Sequence, residues 1–128
     1  MSQPFHAHIY YRPDERPVAA ALRLRMEQAG GDEPLAALRY VGGLRDAPVG
    51  PHPIAQFEVH FDAALLDAVE QAIVASKLTA LIHPLTDDDL ADHTTLGRWI
   101  GEPLDLDPSV LDPPGHNQGV ARFGESDF

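Results

Sequence analysis

Apolar and polar residues alternate strictly from Phe5 to Tyr11, placing Phe5, Ala7, Ile9 and Tyr11 on one side of an extended segment and His6, His8 and Tyr10 on the other. After Pro13-Asp14 the period changes. Val18, Leu22, Met26 and Ala29 recur at helical spacing as far as Gly30-Gly31, which predicts an amphipathic helix closed by glycine. A second strand is expected over Ala37–Leu44, with Gly42 and Gly43 as candidate bulge positions. The proline-rich stretch Ala47–Pro53 must be a loop, and alternation resumes over Ile54–Phe61, with Phe57, Val59 and Phe61 opposite Gln56, Glu58 and His60. Asp62 is placed to cap a second helix carrying Leu65, Leu66, Val69, Ala72 and Ile73. Lys77–His83 gives a fourth strand, with Leu78, Ala80 and Ile82 opposite Thr79, Leu81 and His83. Thr86 and Asp89 form a capping-box pattern for a short final helix through Leu90, Leu96 and Trp99, closed by Gly101.

This order of elements is the ferredoxin-like βαββαβ plan, an α+β fold with an antiparallel sheet, extended by one C-terminal helix. The reading assigns residues 1–107 to one domain. Residues 108–128, rich in Pro, Gly and Asp, are expected to be an extended or disordered arm. Two helices should cover the apolar face of the sheet, leaving His6, His8, Tyr10, Glu58, His60 and His83 on the other. In this topology the first strand lies between the third and fourth and runs against both, so His6 or His8, Glu58 or His60, and His83 should approach one another. His52 should lie nearer the opposite end. An open face bearing bulky side chains is commonly buried by a second copy. The expectation is therefore a homodimer, a dimeric α+β barrel in which the partner's loops bring His52 to the site.

Composition narrows the chemistry. The formal net charge of -11 opposes binding to nucleic acid or to an anionic membrane. No segment offers the roughly 20 apolar residues needed to span a bilayer, so a soluble, cytoplasmic protein is the default expectation. With no cysteine, any metal must be held by histidine and carboxylate.

Two histidines at i and i+2 of a strand point the same way and can share one ion. His6, His8 and His83, with Glu58 as carboxylate, are the candidate metal ligands; such a set suits Fe(II) with open positions, and also Zn(II) or Mn(II). His60 follows the same geometric pattern. His52, held between Pro51 and Pro53, and His93, four residues after Asp89, are candidate catalytic residues, with Asp89 placed to orient the His93 ring. Tyr10 and Tyr11 could donate to a substrate oxygen, although core packing is the commoner role of such residues. Trp99 is read as a packing anchor, and His116 in the arm has no assigned role. No P-loop, dinucleotide-binding glycine motif or serine nucleophile elbow occurs.

The segments Phe5–Tyr11, Gly50-Pro51-His52-Pro53 followed by Phe57-Glu58-Val59, Ile82-His83-Pro84, and Asp92-His93-Thr94 leading to Trp99–Leu104 resemble the DOPA 4,5-dioxygenase family over roughly residues 5–107. The resemblance implies a dimerising ferredoxin-like domain and an Fe(II) enzyme that opens a catecholic ring with dioxygen. It further implies functional roles for His6, His8, His52, His83 and His93. His60 and the residues after Asp107 fall outside it. A rival reading is a non-catalytic ferredoxin-like dimer that binds a small aromatic ligand or a metal ion on its open sheet face.

Overall fold

Alternation along the strands sorts side chains onto two faces of one sheet, and the computed structural model, which describes residues 3–125, shows both faces filled. In chain order the elements are β1 (Pro4–Tyr10), α1 (Arg16–Gln28), β2 (Tyr40–Val41), β3 (Gln56–Asp62), α2 (Leu66–Ser76), β4 (Thr79–Pro84), α3 (Asp89–His93), β5 (Arg98–Ile100) and α4 (Gln118–Ala121). The sheet runs β2-β3-β1-β4-β5 with every neighbouring pair antiparallel. Its first four strands follow the ferredoxin-like order, and β5 is an added edge.

One face carries Ala7, Ile9, Phe57, Val59, Phe61, Ala80 and Ile82 into a core completed by Ala19, Leu22 and Met26 of α1 and Val69, Ala72 and Ile73 of α2. Tyr11, just past β1, belongs to the same cluster. The α1 stripe is rotated from the expected one: Ala19 is fully buried, whereas Val18 is 44% exposed. Helix packing places Leu22 and Met26 inward, and Ala19 at i−3 from Leu22 shares their side.

Several predicted boundaries shift. The second strand shrinks to Tyr40–Val41, because Pro34–Ala37 forms a single 3-10 turn ahead of it. Asp62 ends β3 and stands at the N-cap of a 3-10 turn, Ala63–Leu65, without a side-chain capping bond.

The largest change concerns the segment expected to be one helix from Thr86 to Gly101. It is a short α3 followed by β5, which carries Trp99 in register with Leu81. Asp88 is the N-cap, accepting from the Ala91 N–H at 3.0 Å, while the Thr86 hydroxyl donates to Asp92 at 2.6 Å. A helical stripe has no core to face here, since Leu90 and Leu96 are 44% and 49% exposed. At the turn a Cβ on Gly97 would lie 2.9 Å from Leu81 Cδ1 and 3.2 Å from the Asp92 carbonyl oxygen, so any larger residue would require the Leu81 side chain and the Asp92 backbone to shift. Gly101, at φ +80°, then ends the strand.

The rotated α1 stripe is testable by substitution. Leu22→Ala should destabilise the protein by about 2–5 kcal/mol in urea unfolding, whereas Val18→Ala should change stability by no more than about 0.5 kcal/mol.

Candidate metal centre

The second sheet face is built in rows across three strands. β1 lies between β3 and β4, so His6 pairs with His60 on one side and His83 on the other, His8 with Glu58 and Leu81, and Tyr10 with Gln56 and Thr79. The expected composition of this face is therefore correct, but the face is not open. His6, His8, Gln56, Glu58, His60 and His83 are each no more than 3% exposed within a single chain. His52 reaches over His8 from the 47–53 loop, with ring centroids 4.1 Å apart, and His93 of α3 stands 4.2 Å from His83. Trp99 stacks on Tyr10 at 5.8 Å and Phe123 of the C-terminal arm stacks on His60 at 5.8 Å. The chain's own loops and arm thus fill the space that the sequence argument left for a second copy. His52 needs no partner subunit and is not at the far end of the sheet.

Hydrogen bonds on the outer ring nitrogens set the tautomers of three of these imidazoles. His83 Nδ1 lies 2.8 Å from the Pro84 carbonyl oxygen and His93 Nδ1 lies 2.8 Å from the Asp89 carbonyl oxygen; a carbonyl only accepts, so each Nδ1 carries the proton. His8 Nδ1 donates likewise to the Gln56 carboxamide oxygen at 3.1 Å. In the neutral ring this leaves the lone pair on Nε2. The Nε2 atoms of His8 and His83 face each other at 3.0 Å. Two bare lone pairs at that distance repel unless a proton or a cation lies between them. Cis ligands bound at about 2.1 Å and meeting at a right angle are about 3.0 Å apart, so the spacing fits one metal ion.

A shared proton is the disfavoured alternative. Burial and the neighbouring imidazoles push the pKa values of His6, His8 and His83 well below the ordinary histidine range. A divalent ion offers the missing positive charge to neutral ligands, and the potential ligand atoms fall into overlapping groups. His6, His8 and His83 form one group and His8, His52 and His93 another, each with its atoms within 4.8 Å of one another.

His52 differs from the other three. Its Nδ1 lies 2.6 Å from the Tyr10 hydroxyl, whose own pKa is raised by burial so that it keeps its proton and donates it. The neutral His52 ring therefore carries its proton on Nε2. Burial, with a smaller contribution from His93, lowers the His52 pKa to about 3.

Glu58 falls in a different place. It groups with His6 and His60, not with His8 and His83, and its carboxylate lies 3.5 Å from His60 Nε2. His60 Nδ1 accepts the Gly124 N–H at 2.9 Å, so in the neutral ring the proton is on Nε2 and that atom offers no lone pair. The expected ligand set thus divides into two adjacent clusters that share His6.

Beside the imidazoles lies a cavity of about 240 Å³, walled by the Gly50-Pro51 loop, Leu85, Asp89 and residues of the arm. Burial works against the Asp89 carboxylate, yet bonding to His93 and to the Asp112 N–H keeps its carboxyl below the usual range. His93 Nδ1 meets the Asp89 main-chain carbonyl more closely than the side chain, at 2.8 against 3.3 Å, so the orienting partner expected at Asp89 acts mainly through its backbone. Three contributors escaped the sequence reading. Gln56 was visible as a polar residue on the right strand face. Asp92 is a buried hub for Thr86 and Asn117; it stood in the Asp92-His93-Thr94 motif without a role of its own. The arm lacks any periodicity that would place it over the site. His116 is exposed.

A buried polyhistidine centre on the sheet of a ferredoxin-like α+β domain defines the class, and the comparisons place the chain within it. The Dopa 4,5-dioxygenase family model matches residues 5–110. The chain is 31% identical over 112 residues to a DOPA 4,5-dioxygenase from Amanita muscaria, a match covering 80% of this chain and 47% of that protein. It is 33% identical over 118 residues to an uncharacterized 21.2 kDa protein from Botryotinia fuckeliana, covering 84% of this chain and 62% of that one. It therefore spans less than two thirds of the length of either relative. The crystal structure of a proposed dioxygenase from Nostoc punctiforme shares the fold with a TM-score of 0.73 at 30% identity, over 85% of this chain and 90% of that one. The chain belongs to the Dopa 4,5-dioxygenase family.

The buried, neutral imidazoles make stability depend on pH in a defined direction. A histidine with a folded pKa below its unfolded value of about 6.5 binds more protons when unfolded, so its contribution is complete above pH 6.5 and is lost as pH falls. The urea midpoint of the metal-free protein should hold above pH 7 and decline steadily toward pH 4, with a slope approaching about 1.4 kcal/mol per pH unit for each proton taken up. A flat profile over that range would mean that these rings are not held neutral.

Proposed function

We propose that the protein is a non-haem, metal-dependent extradiol dioxygenase that opens the ring of DOPA or a related catechol, with Fe(II) as the native metal. The observation that carries this reading is the 3.0 Å approach of the Nε2 atoms of His8 and His83, both buried. His8, His83 and His93 would hold the ion through Nε2, each oriented by an outer bond to Gln56, Pro84 or Asp89. His6, which groups with His8 and His83, is a further candidate nitrogen ligand. Zn(II) and Mn(II) would also be accepted by such a donor set in purified material.

Held by these imidazoles, Fe(II) would supply the Lewis acidity and redox capacity needed to activate a catechol toward dioxygen. The reaction adds both oxygen atoms to the substrate and needs no external reductant. The chain's own part is to position and to move protons. The Tyr10 hydroxyl fixes the His52 ring so that its Nε2–H faces away from Tyr10, where it can donate to a substrate oxygen and take the proton back. The 47–53 loop and the arm wall the cavity beside the reacting groups. A non-catalytic domain that binds a metal ion or a small aromatic ligand would use the same buried histidines, and turnover with dioxygen is what separates the two readings.

The test separates ligands from the proton-transferring residue. After anaerobic Fe(II) loading, the wild type should bind one iron and consume dioxygen with a catechol, giving a yellow ring-opened product. His8→Ala and His83→Ala should each lose the metal, and Gln56→Leu should weaken its binding by about 10–100-fold. His52→Ala should retain the metal and turn over about 10²–10⁴ times more slowly. Stoichiometric iron with no turnover of any catechol would remove the dioxygenase reading, and full metal retention by His8→Ala would remove the ligand assignment.

A further inference from the structure

The C-terminal arm forms the part of the cavity wall that lies beyond the family-matched residues 5–110. It is fastened at both ends of a short stretch. Before α4, the Asn117 carboxamide donates to the Thr86 carbonyl oxygen at 2.7 Å and to Asp92 at 3.2 Å. After α4, Phe123 stacks on His60 with 11° between the ring planes, the Arg39 guanidinium lies 5.1 Å from the Phe123 ring centre, and the Gly124 N–H is bound to His60. Arg122 sits between these anchors. It lines the cavity and is itself exposed, which places it at the rim, where it donates to Gln118 Oε1 at 2.9 Å.

Charge decides what this wall can recognise. The cavity floor is five imidazoles, of which His6, His8, His52 and His83 are held neutral. Two carboxylates, Asp89 and Asp112, also line it; both brace the arm through main-chain N–H groups, and both add negative charge that an anionic ligand must offset at Arg122. Asp89 accepts the Asp112 N–H, and Asp112 accepts the Gln118 N–H, each at 2.9 Å. Among the described lining residues, Arg122 alone carries a permanent positive charge, in a chain of net charge -11. A guanidinium presents a planar fork that matches a carboxylate. The volume of about 240 Å³ is below the roughly 300–1,000 Å³ typical of drug-sized ligands, which suits a single ring with a short side chain.

We propose that Arg122 is a specificity-determining residue that binds the carboxylate of an acidic side chain on a catecholic ligand whose ring faces the histidines. The inference rests on the catechol reading above. It assigns discrimination among catechols to the arm, while the family-matched domain supplies the metal centre.

Calorimetric binding to the Zn(II)-loaded full-length chain tests it without turnover, using 3-(3,4-dihydroxyphenyl)propionate, the neutral 4-ethylcatechol and the cationic dopamine. The wild type should bind the acid at least about 10-fold more tightly than 4-ethylcatechol, the worth of one hydrogen bond between charged groups. Arg122→Gln should reduce that ratio to about one, and Arg122→Lys should keep part of it. Equal binding of all three ligands, a preference for dopamine, or an undiminished ratio in Arg122→Gln would overturn the assignment while leaving the catechol reading intact. Binding of none of the three would overturn both. A preference for the acid that depends on Arg122, together with no oxygen consumption after iron loading, would uphold the assignment and count against the dioxygenase reading alone.

Discussion

The structure depends on the fixing of imidazole protons at the outer edge of a buried histidine cluster. Once the Nδ1 atoms of His8, His83 and His93 are committed to Gln56, Pro84 and Asp89, their remaining nitrogens must present lone pairs inward. Desolvation prevents the His8 and His83 rings from relieving this crowding by taking up protons. The protein therefore keeps several neutral donors aimed at a common space, an arrangement that a divalent ion satisfies. Tyr10 reverses the pattern at His52 by occupying Nδ1 with its own proton, which leaves the ring proton on Nε2 as the proposed proton-transfer role requires.

The rest of the fold serves this arrangement. The apolar face of the sheet provides a rigid support, with Ala7, Ile9, Phe57 and Val59 fully buried directly behind the histidine rows. The close turn at Gly97 brings β5 beside β4 and lays Trp99 over Tyr10, which in turn sets His52. Asp92 ties the β4–α3 loop to the arm through Thr86 and Asn117, so the side that carries His93 and the side that covers His60 are mechanically joined.

Strict alternation made the two strand faces legible, because a strand has a period of two and one buried face leaves little freedom of register. Topology then brought His6, His8 and His83 together from sequence alone. Glu58, expected beside all three, groups with His6 and His60. It pairs with His8 across the strands, but its carboxylate reaches sideways to His60, and strand pairing does not predict that choice of rotamer. The position of His52 was missed for a different reason: a loop held by prolines has no period, and its path depends on distant packing. The segment after Thr86 was read as one helix because Leu90, Leu96 and Trp99 were assumed to face a core. The core was already closed by α1 and α2 on the other side of the sheet. The arm carried no pattern at all, and with it went the evidence that the histidine face is covered within one chain.

The most direct test of this account is the tautomeric state of the histidines, measured by long-range ¹H–¹⁵N correlation spectra of the metal-free protein near pH 7.5 and again after Zn(II) addition. The account predicts protonated Nδ1 and bare Nε2 at His8, His83 and His93, and the opposite at His52 and His60, with Zn(II) shifting the Nε2 signals of the first three selectively. Protonated Nε2 at His8 or His83 in the metal-free protein, or Zn(II) shifts confined to other histidines, would contradict it.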